Sequence, residues 1–240
     1  MRKFGWVVML AVSVAALGRA ASASKGHPSI GAQAALARFV AGGGVAAWPV
    51  ESIEIHAGLP KMAKTAQLRA IRRAGPMSEA KYEVLEVSGD RTVKQQVIAR
   101  YLSAENTAAE LPSASVAITA ANYKFTYKGE IDDGETLAYA FQITPRTKRS
   151  GLMKGELWLD QQSGVALRKS GTLVKSPSVW IKRVAITQEI AVHDGQVESR
   201  LTRIAVDTRL VGRAELVIEE RPLGAADRVL MTNWDNGGQQ

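Results

Sequence analysis

The sequence predicts a mainly β protein of the α+β class, with one large antiparallel sheet of about seven to ten strands that curls around a helix. Three observations lead to this prediction. From residue 122 onward, apolar and polar residues alternate in consecutive runs, the pattern of strands with one buried face. Turn residues bound each run, and an earlier segment has a helical period. The chain has 240 residues, 46% hydrophobic and 22% charged, which is enough for a sizeable core.

The N-terminus has the pattern of a cleavable secretory signal. Arg2 and Lys3 precede an apolar run over residues 4–17, and small residues follow at 21–23. A membrane-spanning helix is the alternative interpretation. The run is shorter than the ~20 residues that cross a bilayer, and Arg19 interrupts its end, so a signal peptide is favoured.

Signal cleavage and the absence of cysteine together indicate where in the cell the protein is located. Removal of residues 1–23 takes away three basic residues and no acid, so the formal net charge falls from +8 to +5. The chain has no cysteine, which excludes disulfides, thiolate zinc sites, thiol nucleophiles and an N-terminal lipid. We therefore expect a periplasmic protein without a lipid anchor, folded as a single domain over 24–223, with a poorly ordered tail over 224–240.

The first part of the mature chain predicts one short helix and three strands. The amphipathic stretch 30–40 predicts a helix that ends at the glycines 42–44. Alternation around residues 53–55 predicts the first strand. Residues 64–73 fit a strand, although two arginines near the end fit a helix equally well, and 81–87 predict a strand whose alternation slips by one residue.

One longer helix is predicted next. Its apolar residues recur at i, i+4, i+5, i+8 and i+9, which places them on one side of a helix. These residues are Val93, Val97, Ile98, Tyr101 and Leu102. Either Asp90 or Thr92 is expected to cap the N-terminus. With one apolar face, this helix is expected to cover the sheet.

After Pro112 the sequence predicts consecutive antiparallel strands and no further helix. The turns are predicted at 132–134, 161–164 and 193–195, and the last of these is the strongest hairpin signal in the chain. The apolar residues that alternate along the predicted strands include Tyr123, Phe125, Tyr127, Ile131, Leu137, Tyr139, Phe141, Ile143, Met153, Leu157, Leu159, Val165, Leu167, Leu173, Trp180, Val184, Ile186, Ile190, Leu201, Leu210, Leu216 and Ile218.

The sequence contains no complete catalytic or metal-binding motif. Its histidines, His27, His56 and His193, have no companion at metal-ligand spacing. Ser78–Lys81 and Lys169–Gly171 imitate two motifs of penicillin-recognising enzymes, but the Ser-Asp-Asn motif that should lie between them is missing. We therefore expect a protein that is not an enzyme and that uses no cofactor or metal.

Aromatic residues concentrate on the apolar side of two neighbouring predicted strands. They fit a packed core, and they also fit the lining of a cavity, because a curled sheet can enclose more volume than its own side chains fill. The candidate cavity-lining residues are Val97, Tyr101, Tyr123, Phe125, Tyr127, Leu137, Tyr139, Phe141, Leu157 and Trp180.

Basic residues gather around two predicted strand connections. A solvated surface that keeps the protein soluble is the simplest interpretation, and a patch for an anionic head group or an acidic partner is the functional one. Nucleic acid is not expected as a partner of an exported protein. The candidate contacts are Arg146, Lys148, Arg149, Lys182 and Arg183.

Four segments resemble a group of exported bacterial proteins. They are Val84–Gly89, Ile118–Phe125, Gly155–Asp160 and Lys175–Val184. That group is similar to the outer-membrane lipoprotein-sorting proteins of LolA/LolB type, whose relatives include RseB-type sensors. The resemblance covers residues 80–220 and implies an incomplete antiparallel β-barrel of about 7–11 strands, curled around one or two helices and enclosing an apolar cavity for acyl chains.

Two functions of different classes are expected. The first is a soluble periplasmic carrier or binding protein for a lipid, a lipoprotein acyl chain or another hydrophobic ligand, in lipoprotein sorting or envelope maintenance. Its partners would be lipids or acylated lipoproteins, together with envelope proteins of the inner or outer membrane, and we expect a monomer. The second is an envelope sensor or scaffold that binds another protein, in which the apolar interior is only a core.

Overall fold

The computed structural model describes residues 28–42, 48–74, 80–132, 136–193, 196–209 and 212–224. The predicted signal peptide and nearly all of the predicted tail lie outside these residues. So do Ser78, Leu210 and parts of the turns predicted at 132–134 and 193–195.

In the described chain, α-helices lie before the first strand and between the third and fourth strands. Helix α1 is Ile30–Gly42, and a single 3-10 turn follows later at Pro60–Met62. Helix α2 is continuous and comprises an α-helical turn, Arg91–Val93, a π-helical turn, Lys94–Ile98, and an α-helical segment, Ala99–Ala109. The short helix α3 is Ser113–Val116.

The strands are long and follow one another with short connections except between β3 and β4. In chain order they are β1 Val50–Leu59, β2 Lys64–Ala74, β3 Ala80–Gly89, β4 Tyr123–Asp132, β5 Leu137–Pro145, β6 Met153–Asp160, β7 Ala166–Leu173, β8 Ile181–His193, β9 Gln196–Thr208 and β10 Arg213–Pro222.

All ten strands form one antiparallel sheet in the order β3-β2-β1-β10-β9-β8-β7-β6-β5-β4. Strand β1 pairs with β10, which joins the beginning and the end of the described fold. Strands β3 and β4 are the two edges, and the chain passes from one edge to the other through α2 and α3. The sheet is therefore not closed, and the predicted fold class, an incomplete antiparallel barrel with a few helices, is confirmed.

Several local predictions are confirmed. Strand β2 covers the segment that also fitted a helix. The slip in β3 is a real irregularity, because the register between β2 and β3 shifts at Arg69/Ala70. Asp90 is the N-cap of α2, since its carboxylate accepts hydrogen bonds from the amides of Thr92 and Val93, at 2.8 and 3.2 Å.

Three local predictions differ from the structure. Helix α2 continues to Ala109, beyond its last predicted apolar residue, Leu102. A short helix, α3, forms after Pro112 where none was predicted. Trp180 was predicted within a strand, but it lies in a turn and β8 begins at Ile181. The alternation of apolar and polar residues identifies strands, but it carries no information about the segments between them. The structure of these segments was therefore not predicted.

The strand register defines an inner face of the sheet. Residues that lie directly opposite each other on paired strands point to the same side, so a row can be followed across the sheet. The central row of the inner face, from β2 to β4, is Leu68, Ile55, Ile218, Thr202, Gln188, Lys169, Leu157, Phe141 and Tyr127.

Two separate hydrophobic clusters cover the two ends of this inner face. In the first, Val93, Val97 and Ile98 of α2 pack against buried residues of β1, β2 and β10. In the second, Ala32, Ala35 and Phe39 of α1 pack against buried residues of β4, β5 and β6. Each helix therefore covers only a few strands at one end of the sheet.

A pair of glycines brings β6 and β7 close together near the middle of the sheet. Gly155 and Gly171 are opposite each other on the inner face. A methyl group on Gly155 would collide with the backbone oxygen of Ser170, and one on Gly171 with the backbone oxygen of Lys154. Because neither position tolerates a side chain, the pair leaves a bare strip of backbone between the two clusters.

Substitution of Gly155 tests this close approach. We expect Gly155→Ala to lower the free energy of unfolding by about 1–3 kcal/mol, because the added methyl group meets backbone rather than a movable side chain. Gly42→Ala is the control, since a methyl group there has no neighbour within 4 Å. Urea denaturation would measure both. Equal stability of the two variants would show that β6 and β7 are not in such close contact.

Candidate functional site

The inner face of β7, β8 and β9 lies between the two hydrophobic clusters, and we call it the seam. Among the described residues, neither cluster takes a buried member from these three strands. Ile204 and Val206 border the first cluster, and Ala166 and Leu173 border the second. Most inner side chains of the seam are half-buried, which differs from the full burial of the two clusters. The inner side chains of the seam are Ala166, Lys169, Leu173, Val184, Ile186, Gln188, Ile190, Arg200, Thr202, Ile204 and Val206.

Polar side chains occupy one part of the seam. The amide of Gln188 donates a hydrogen bond to the hydroxyl of Thr202 at 3.2 Å. In the adjacent row, the guanidinium of Arg200 donates to the carboxylate of Glu220 on β10 at 3.2 Å. Arg200 also lies over the ring of Trp48, 4.9 Å from its centroid. Both partners of the Arg200–Glu220 pair are buried, so the pair is largely shielded from water.

Lys169 lies in the same row as Gln188 and Thr202, on β7. It makes no hydrogen bond or ion pair with any other residue that the structure describes. Burial lowers the pKa of its ammonium group, the positive charge of Arg200 lowers it further, and Glu220 opposes both effects. The seam thus contains a poorly solvated amino group that makes no direct ion pair with a described residue.

A second polar network joins α2 to the sheet beside the first cluster. Arg72 of β2 forms ion pairs with Glu51 of β1 and Glu105 of α2, and its guanidinium lies 3.7 Å from Glu220. The hydroxyl of Tyr82 donates to Glu105 at 2.5 Å. Arg72 is the centre of this network, because it contacts carboxylates from two strands and one helix.

The network is held in a poorly solvated environment. Burial raises the pKa of Glu51, whose side chain is fully buried, and outweighs the opposing effect of the positive charge of Arg72. Burial also raises the pKa of Tyr82, as does its hydrogen bond to Glu105. For Arg72, burial acts to lower the pKa, but the carboxylates of Glu105, Glu51 and Glu220 outweigh it and raise the pKa. Arg72 therefore remains charged.

Most of the predicted cavity-lining aromatics lie together on the inner face. Phe141 and Leu157 are opposite each other on β5 and β6 within the second cluster. The ring of Tyr127 lies 5.6 Å from that of Phe141 and 6.4 Å from that of Tyr139. Tyr123 and Phe125 belong to the same cluster, and the hydroxyl of Tyr123 accepts a hydrogen bond from the amide of Met153 at 3.2 Å. Together these residues form the wall against which α1 packs.

The remaining predicted cavity residues are placed elsewhere. Val97 and Tyr101 lie on α2 and belong to the first cluster, at the opposite end of the sheet from the aromatics. The side chains of Leu137 and Trp180 are 54% and 59% exposed. The structure therefore does not bring all ten residues into one site.

The predicted basic residues divide into two kinds. Arg146 and Arg149 secure the connection after α3, because Arg146 donates to the carbonyl of Ala120 at 2.9 Å and Arg149 donates to the side-chain oxygen of Asn122 at 2.8 Å. Lys148, Lys182 and Arg183 are exposed. Structural contacts thus account for two of the five residues.

The charged residues of the inner face were missed in the sequence, although a signal was present. Glu51 is in phase with the buried residues of β1, Arg72 with those of β2 and Glu220 with those of β10. A charged residue at an inward position of a strand is costly unless it is paired. If the pattern of every second residue pointing inward is continued along each strand, it predicts that these charged residues also point inward.

The described residues were also compared with the requirements of a metal site and of a membrane-spanning helix. Among the described residues, no group of three or more histidine, aspartate or glutamate side chains is arranged to hold a metal ion. No helix in the described part of the chain is long and apolar enough to span a bilayer.

Comparisons with known proteins found structural similarity only. No protein-family model matches the sequence, and no curated protein matches it. A domain from Vibrio parahaemolyticus, provisionally named an outer membrane lipoprotein-sorting protein, is 13% identical, with a TM-score of 0.39 over 82% of this chain and 94% of its own. A DUF1329 family protein from Desulfovibrio piger is 12% identical, with a TM-score of 0.40 over 78% of this chain and 90% of its own. A LolA superfamily protein from Nitrosomonas europaea is 11% identical, with a TM-score of 0.35 over 84% of this chain and 97% of its own.

Substitution of Arg72 tests the network that joins α2 to the sheet. We expect Arg72→Met to cost about 3–5 kcal/mol of unfolding free energy, because it leaves the buried Glu51 without its counter-ion. Arg69→Met is the matched control on the same strand. Arg69 forms an exposed ion pair with Glu86, so its loss should cost less than about 1 kcal/mol. Chemical denaturation that found similar costs for both would contradict the central role of Arg72.

Proposed function

We propose that the chain is a carrier or binding protein whose ligand has a long apolar part and binds in the seam. One observation carries the proposal. The seam is a largely apolar, half-buried surface in the middle of a ten-stranded sheet, and the two helix-covered clusters lie on either side of it. Such a surface is expected to bind an apolar partner, because water is displaced from it on binding.

Burial of acyl chain would supply the binding energy. Each methylene group removed from water contributes about 0.8 kcal/mol, so a chain of ten or more carbons is sufficient without any catalytic residue. Gly155 and Gly171 carry no side chain, so an acyl chain that lay across them would contact backbone atoms. The proposed role is therefore binding and transfer rather than catalysis.

The proposed ligand is a lipid or an acylated lipoprotein of the bacterial envelope. The N-terminal signal pattern and the absence of cysteine support export without a lipid anchor. A periplasmic protein that takes up acyl chains would meet them at the inner or the outer membrane. The four sequence segments resemble a group of exported proteins that is similar to the LolA/LolB type, and this resemblance supports the same role.

A protein-binding role is the second candidate, and one observation favours it. Edge strand β3 exposes Val84, Leu85 and Val87. An edge strand has unpaired backbone groups, and exposed apolar residues on it are suited to contact with another protein. In that case the seam would be a filled core and would not bind a small ligand.

Binding of an uncharged fluorescent probe distinguishes the two candidates. We expect N-phenyl-1-naphthylamine to bind the full chain with an increase in fluorescence. Ile186→Trp should weaken that binding at least about tenfold with little loss of stability, because the indole occupies the ligand space. Thr187→Trp is the matched control, since its side chain lies on the opposite face of the same strand.

A filled core predicts different results for both measurements. If the seam is a filled core, the probe will not bind. Ile186→Trp will then lower the free energy of unfolding by about 1–3 kcal/mol through overpacking. That combination would favour the sensor or scaffold role.

A further inference from the structure

Lys169 is the cation of the inner face that makes no ion pair with a carboxylate of the described residues. Arg200 is paired with Glu220, and Arg72 lies between Glu51 and Glu105. These three acids are therefore already engaged with arginines. No carboxylate of the described residues is left in contact with the ammonium group of Lys169. A cation in a partly dehydrated position is stabilised by an anionic partner, and here the position faces the proposed ligand site.

Thr202 adds a second donor in the same row as Lys169. Its hydroxyl oxygen accepts the hydrogen bond from Gln188, so its own hydrogen remains available to donate. Thr202 is buried, and no described residue receives that hydrogen. The row thus contains two hydrogen-bond donors for an anionic group, an ammonium group on β7 and a hydroxyl group on β9, with Gln188 of β8 between them.

Apolar side chains surround these donors along the seam. The neighbouring row of the inner face consists of Ile204 on β9, Ile186 on β8 and Gly171 on β7. On the opposite side of the polar row, Ile190 lies opposite Arg200. A polar head group at Lys169 would therefore place an attached hydrocarbon chain over Ile186, Ile204 and the glycine strip.

We propose that the seam binds a long-chain carboxylic acid, with its carboxylate held by Lys169 and Thr202 and its acyl chain lying on the apolar rows. The ammonium group of Lys169 has no ion-pair partner among the described residues, so it can form a charge-assisted hydrogen bond with a carboxylate. The inference rests on the proposed function and names the class of ligand for the same site. It assigns the anionic head group to the centre of the inner face instead of the exposed Lys148, Lys182 and Arg183.

Competition between an acid and its ester tests the inference. Laurate and methyl laurate, kept below micellar concentration at pH 7.5, would displace N-phenyl-1-naphthylamine from the full chain. We expect laurate to displace the probe at a concentration at least about tenfold lower than methyl laurate. This difference reflects a charge-assisted hydrogen bond in a dehydrated site.

Variants of Lys169 assign the preference to this residue. Lys169→Met should abolish the difference between acid and ester while retaining probe binding, and Lys169→Arg should retain most of it. Lys154→Met is the matched control, because it removes one positive charge from the outer face of the neighbouring strand β6. It should leave the preference unchanged. Circular dichroism and probe binding would establish that each variant is folded.

The outcomes separate the inference from the proposed function. If the probe binds but laurate and methyl laurate compete equally, or neither competes, the carboxylate site is overturned and an apolar binding site remains. If Lys169→Met keeps the preference for laurate, the assignment to Lys169 is overturned. If the probe itself does not bind, the proposed function fails and the inference fails with it.

Discussion

The inner face of a ten-stranded sheet has to be removed from water, and the helices that the structure describes cover only its two ends. This constraint follows from the topology. The chain passes between the edge strands β3 and β4 through α2, which packs near one edge, while α1 precedes the sheet and packs near the other. In the strand order, β7, β8 and β9 lie between the strands that α1 covers and those that α2 covers. The middle of the sheet is therefore where a ligand would complete the apolar interior.

Charged residues on the inner face place a second demand on the structure. A buried charge is costly, so each one requires a partner. Arg72 meets this demand for Glu51 and at the same time holds Glu105 of α2 against the sheet. Arg200 and Glu220 satisfy each other, and the ring of Trp48 covers Arg200. Lys169 is the exception among the described residues, which is why we place the head group of a ligand beside it.

Much of the fold could be predicted from alternation and turn residues, because both are local signals. The period of two placed β4 and β5 correctly, and the spacing of Val93, Val97 and Ile98 identified the buried face of α2. The site was harder to predict because it depends on register between strands far apart in the chain. Lys169 and Thr202 share a row only through β8, and no local pattern contains that information. For Arg146 and Arg149, by contrast, the sequence suggested a binding patch, and in the structure their side chains hydrogen-bond to the loop between α3 and β4.

The central claim is that the seam holds a removable apolar ligand. Native mass spectrometry of the full chain, purified from its own cells without detergent, tests this claim most directly. The account predicts a population with the added mass of one acyl-chain amphiphile, which disappears after extraction with organic solvent. The bare mass of the chain alone, or a complex with another protein and no lipid, would contradict it.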